Sequence, residues 1–351
     1  MLARLFERPN NPKTASATIE QVMTRLSLSV IALLTLTLPV IAQGESHNLA
    51  TTAKADTTVW FVQTEKNSQT IDMAGQMMET GQTVNRTFCI SIKSVGDDGM
   101  RTVEFEALRV HGIMSLPMMG EMEFDSANPV DNDDFDGGMM GIDVGQMTDA
   151  LTNVVGHKFS VKIDSFGRAK GMPSVVQTED EKKDAAPGVA DQAKILIEAA
   201  FGQRPEKEMA IGDKWAFSDD AGGNRLAMKN KIEATLVKVD ADNFETKFTG
   251  SIEKGAGPDD AMEDESEEAA MAAEMIAGME VSNGKVVGGQ MLSRKDGLVT
   301  SSTLKATADV AMETQMGEMM MTTLATKVLK RTTKEKAMPK AEPAAEPKSG
   351  K

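Results

Sequence analysis

Long runs in which apolar and polar residues alternate constrain what this chain can fold into. In "SSTLKATADVAMET" Leu304, Ala306, Ala308, Val310 and Met312 alternate with Thr303, Lys305, Thr307, Asp309 and Ala311. "NRLAMKNKIEATLVKV" puts Leu226, Met228, Ile232, Ala234 and Leu236 on one face. "VNRTFCISI" sets Val84, Phe88, Ile90 and Ile92 against Asn85, Thr87, Cys89 and Ser91. A period of two belongs to a strand that buries one face, and the Gly and Asp-Gly turns between these runs favour antiparallel pairing. Cys89 reads as an inert strand thiol.

Helical spacing is rarer. Val144, Met147, Leu151 and Val154 fit one short helix against the sheet. Pro187 opens a second, with Val189, Ala193, Leu196 and Ala200 on its apolar face and Gly202 as its stop. The segment 258–280 predicts a third: its acids stand at the front, where they complement the positive end of the helix dipole, and Met271, Met275 and Met279 are four residues apart. Strands outnumber helices of crossover length, so the expected fold is mainly β (α+β): two lobes of curved antiparallel sheet with about three short helices. The lobes are assigned to 57–183 and 184–333, each opening near one of the two tryptophans, Trp60 and Trp215. A flexible leader (43–56) precedes them, and a disordered tail rich in Pro, Ala, Lys and Glu (334–351) follows.

Residues 26–42, "LSLSVIALLTLTLPVIA", form an apolar run ending in small residues, as a Sec-type signal does, and cleavage is expected after Ala42. Translation from Met23 would place Arg25 directly ahead of that run. A membrane span needs about 20 apolar residues, and Pro39 interrupts this stretch, so no stable membrane anchor is expected after cleavage. Removing 1–42 takes away four basic residues and two acids, which moves the net charge from −15 to −17. So acidic a chain lacks the concentrated basic face that nucleic acid requires. Cys89 is the only cysteine, which excludes an intrachain disulfide, and no cysteine follows the signal core to take a lipid. The periplasm or cell envelope is the expected destination.

Methionine is the compositional anomaly: 27 Met stand against 12 Phe, 2 Trp and no Tyr. Thioether sulfur suits Cu(I), and the densest cluster offers Met312, Met316, Met319 and Met321 as candidate ligands. Met320 points to the opposite face, and no His or Cys lies nearby. The alternation reads Met312 to Met321 as a β-hairpin, and flexible thioethers are general fillers of cores and of adaptable apolar surfaces. With few aromatic platforms for sugars or nucleobases, a Met-lined concavity suits a lipid or an apolar protein segment.

Catalytic constellations are not recognisable. His47, His111 and His157 are scattered, and neither a nucleophile elbow nor a zincin helix occurs. Asn132, Asp134, Asp136, Gly137 and Asp143 echo a calcium loop, but the first ligand is Asn and the final Glu is absent, so a solvated acidic loop is expected. No cofactor or resident metal is assigned.

"MGEMEFDSANP" (119–129), "VGHKFSVKIDSFGRAKG" (155–171) and "GQRPEKEMAIGDKWAFS" (202–218) resemble successive landmarks of an uncharacterised family of exported bacterial proteins, known only as a domain of unknown function. The resemblance spans roughly 57–332 and implies a β-rich envelope protein without an established activity. Members often carry a lipid-anchoring cysteine, which this chain lacks. On that pattern Asp125 and Ser126 cap a turn, while Gly212, Asp213 and Trp215 begin the first strand of the second lobe. The leading expectation is a non-enzymatic exported protein that binds an apolar ligand or protein partner on a Met-lined curved sheet. The alternatives are a Cu(I)-binding protein and a hydrolase using paired carboxylates.

Overall fold

The computed structural model describes residues 45–73, 75–117, 120–128, 144–176, 188–221, 228–255, 278–314 and 317–337. The strands are β1 (Thr57–Met73), β2 (Gln76–Val95), β3 (Arg101–Leu116), β4 (Gly120–Asp125), β5 (Lys158–Ile163), β6 (Ser174–Val175), β7 (Lys214–Ala221), β8 (Met228–Val239), β9 (Asn243–Lys254), β10 (Glu280–Ser293), β11 (Val299–Thr314) and β12 (Gly317–Thr332). The helices are α1 (Val144–Thr152), α2 (Val189–Phe201) and α3 (Lys334–Ala337). The signal run, the acidic loop and most of the acidic helix expected at 258–280 lie outside the described residues; Glu280 already belongs to β10.

All twelve strands join one antiparallel sheet, in the order β6-β5-β3-β2-β1-β12-β11-β10-β9-β8-β7, with β4 on β3. The two sequence halves therefore do not form separate sheets. β1 pairs with β12 from Trp60↔Thr332 to Met73↔Met319, and that ladder makes them continuous. Nor does the apolar interior follow the expected boundary near 183. The larger cluster joins Phe61, Phe88, Phe105 and Phe159 to the buried face of α2 and to Leu236, Phe244 and Leu292 from the second half. The smaller one holds Met228, Ile232, Phe248, Val310, Met312 and Met321.

The 45–56 segment, expected as a flexible leader, is packed. Its peptide groups find partners that composition does not reveal: His47 and Met209 exchange two backbone hydrogen bonds, Thr51 N–H donates to Ser165 O, and Leu49 is buried. Two arginines clamp the same segment. Arg101 donates to Thr51 O and Ala53 O, and Arg204 to Leu49 O. The first residues of the expected disordered tail form α3, with Ala337 buried.

The α2 helix ends where glycine permits it. Gly202 has φ 74° and donates its N–H to Glu198 O, and a Cβ at this position would meet Gln290 Oε1 at 2.6 Å. Val189, Ala193, Leu196, Ile197, Ala200 and Phe201 are the buried side of the helix, which covers one end of the inner sheet face. Among the described residues no helix is long and apolar enough to cross a membrane.

Candidate functional site

Register fixes which residues share the inner face. Phe61↔Phe88, Gln63↔Arg86, Glu65↔Val84 and Asn67↔Gln82 face each other across β1 and β2. Ile71↔Met321, Asn67↔Ala325 and Glu65↔Lys327 do so across β1 and β12. Strand alternation carries the same face through Leu304, Ala306, Ala308, Val310 and Met312 of β11, and through Ile232 and Asn230 of β8.

On this face lies a cavity of about 440 Å³. Met114 and Leu116 of β3 line it together with Met228 and Asn230 of β8, although six strands separate β3 from β8 in the sheet order. The sheet thus curls around the cavity. Leu304, Ala306, Met312, Met321 and Ala325 continue the apolar wall, and the volume lies in the range of small-molecule sites. A smaller cavity of about 140 Å³ lies between α2 and the sheet, and Leu304 and Lys327 line both.

Polar side chains line the cavity of about 440 Å³ too, among them Asn67, Gln82, Thr323, Asn230 and Lys327. Asn230 is only 3% exposed, and its Oδ1 has no hydrogen-bond partner among the described residues. A buried acceptor of this kind calls for a donor from whatever fills the cavity. Across the middle of the inner face, Arg86 Nη1 donates to Glu65 Oε2 at 2.8 Å and to Gln63 Oε1 at 3.3 Å, and Asn67 donates to Glu65 Oε1. Burial raises the Glu65 carboxyl, but the charges of Lys327 and Arg86 and the hydrogen bonds outweigh it and leave the group lowered and ionised. No Asp or Glu lines the cavity of about 440 Å³, whereas Glu198 of α2 lines the smaller one.

The predicted copper ligands divide. Met312 and Met319 are cross-strand partners, and Met321 shares their face. Met312 and Met321 are buried within the smaller apolar cluster, and Met319 packs against it. Met316 lies outside the described residues, and Met320 points away and is 52% exposed. Cys89 lies on the opposite face of β2 from Phe88, where burial and then Glu106 push its thiol up to about 11.

The landmark residues are placed elsewhere. Asp125 receives Arg109 in a two-pronged ion pair (3.0 and 2.6 Å) and accepts the Ala127 N–H; Ser126 Oγ accepts the Val110 N–H. Gly212 (φ 96°) and Asp213 form the turn ahead of β7, with Asp213 Oδ2 accepting the Ala210 N–H. Trp215 packs against both apolar clusters, and its Nε1–H has no partner among the described residues. The Arg109 hydrogen bonds hold the Asp125 carboxyl at about 2. A lowered carboxylate stabilises the fold above its ordinary value of 3.8, and that stability is lost as pH falls through about 2. Because Arg109 is 41% exposed, solvent screening limits the expected loss in Asp125→Asn to about 1 kcal/mol at neutral pH. Comparing urea midpoints at pH 7 and in acid checks this, because the difference between variant and wild type must shrink in acid.

No protein-family model matches the sequence, and no curated protein is matched. Several solved structures are similar in part, three of them as follows. A lipovitellin structure, described for its lipid-protein interactions, has a TM-score of 0.42 at 9% identity over 80% of this chain, which spans 25% of the lipovitellin chain. An outer membrane channel from Pseudomonas putida F1 has a TM-score of 0.24 at 7% identity, covering 81% of this chain and 98% of its own. The Pseudomonas aeruginosa MucA/MucB complex has a TM-score of 0.16 at 11% identity, covering 75% of this chain and 88% of its own.

Proposed function

We propose that this is an exported envelope protein, the location that the resemblance to an uncharacterised exported family implies, and that it carries or shields an apolar ligand inside its curled sheet. The observation that carries the reading is the cavity of about 440 Å³ walled by Met114, Met228, Met312 and Met321. Thioether side chains bend to fit ligands of different shape, which suits a chain-like apolar molecule better than a rigid one. Asn230 gives the ligand one buried polar contact, and the larger apolar cluster under α2 supplies a rigid frame.

Native mass spectrometry of protein purified gently from its own envelope fraction tests the reading. A bound lipid-sized mass is expected, and Ala306→Trp, which places a large side chain into the wall, is expected to remove it while the protein stays folded. Stoichiometric copper in place of an organic mass would overturn the reading and favour a site built on Met312, Met319 and Met321.

A further inference from the structure

We infer that the ligand is a long-chain lipid with a free hydroxyl, and that Asn230 holds this hydroxyl at the wall of the cavity of about 440 Å³. The inference rests on the apolar-ligand reading and adds the chemistry of the one group that the site recognises. Its starting point is the inner face of β8, where the alternate positions Met228, Asn230, Ile232, Ala234 and Leu236 are all buried. Four of these five are apolar. Asn230 interrupts the stripe at a position where leucine would fill the same space with no polar group to bury.

The other buried carboxamides among the described residues have partners: Gln63 Oε1 accepts from Arg86, and Gln290 Nε2 donates to Gln203 O. Asn230 Oδ1 has none. Its neighbours on the same face of the strand are Met228 and Ile232, and its register partners are Ile252 on β9 and Asp219 on β7. A carboxylate accepts, as Oδ1 does, so it cannot supply the missing donor. A water needs several polar partners to hold its place, and the three apolar neighbours offer it none. Met228, Asn230 and Ile252 all line the cavity, so the occupant of the cavity is what can bring the donor.

Hydrogen-bonding capacity then sorts the possible heads. Ester, ether and ionised carboxylate oxygens only accept, and they leave Oδ1 as it was. A bare hydrocarbon offers nothing. An ammonium brings a charge and more donors than one acceptor can use, and the surplus has to be desolvated. A hydroxyl brings one donor and also accepts, so it matches the carboxamide whichever way the amide is turned. The apolar wall through Ala306, Met312 and Met321 takes the chain.

The test is calorimetric titration of the whole protein with decanol, decyl methyl ether and decylamine at neutral pH. The ether has the chain and the oxygen of decanol without its donor. Decanol is expected to bind about tenfold more tightly than the ether, the size of one buried hydrogen bond. Asn230→Leu is expected to bring that ratio close to one while the ether keeps its affinity. The same variant is expected to raise the urea midpoint, because a buried acceptor without a partner is removed. A purely structural asparagine would lower the midpoint instead and leave the ratio untouched. A ratio near one in the wild type, or one that Asn230→Leu leaves unchanged, would overturn the assignment, while binding of the ether would keep the apolar-ligand reading standing. Tighter binding of decylamine than of decanol would overturn the hydroxyl in favour of an amine. If none of the three binds, both readings fall together.

Discussion

Replacing Arg204 by leucine is expected to lower the stability of the fold by about 3–5 kcal/mol, more than any single surface change. The side chain is 3% exposed and donates to three backbone carbonyls from three parts of the chain: Leu49 O, Phe201 O and Gly297 O. It thereby ties the 45–56 segment, the end of α2 and the turn between β10 and β11. Burial, and then the neighbouring Arg101, push the guanidinium down to about 9, opposed by Asp296 and Asp164. Holding the charge there has a cost, and an apolar residue would remove it if the partners could be replaced as well. Backbone carbonyls cannot be replaced, so leucine leaves three acceptors buried without donors. Arg204→Lys keeps a charge but lacks the planar fork that reaches several acceptors, and it is expected to recover little. Urea unfolding followed by tryptophan fluorescence measures the shift in midpoint, and a loss below about 1 kcal/mol would contradict the clamp.

Side-chain period made the strands readable, whereas the order in which they pair was not. The run from Thr303 to Met312 alternates so regularly that β11 and its hairpin with β12 follow from it, and the ladder Met312↔Met319 lies where the alternation puts it. The β1–β12 ladder joins the first and last strands of the described chain, and nothing local in "TTVWFVQTE" names its partner. The inner charges were a different omission. Glu65 shares its face with Phe61 and Ile71, Arg86 stands between Val84 and Phe88, and Lys327 between Ala325 and Leu329. Each is a charge at an apolar parity position, and counting parity through the polar stretches would have marked all three. The ordering of 45–56 left no such trace, because its anchors are backbone carbonyls, which every residue carries.

The curl that makes the cavity depends on inner-face glycines, and Gly288→Val is expected to cost at least about 3 kcal/mol and to abolish ligand binding. A Cβ on Gly288 would sit 2.1 Å from Thr303 O, a backbone atom of the adjoining strand that no side-chain rotation can move away. The same distance recurs at Gly250 against Lys231 O and at Gly112 against Thr83 O. Three glycines in β3, β9 and β10 thus let neighbouring strands coil more tightly than a side chain would allow, as at the corners of barrels. Gly288 pairs with Leu304 on one side and Phe248 on the other, so spreading the strands there widens the wall of both cavities. Gly81 provides the control: its nearest neighbour to an added Cβ is Ser115 Cβ at 3.9 Å, so Gly81→Ala is expected to change stability by less than about 1 kcal/mol. Urea titrations of the two variants, with native mass spectra of Gly288→Val beside the wild type, decide the matter. If Gly288→Val unfolds and binds like the wild type, the sheet owes its curvature to something other than these close approaches.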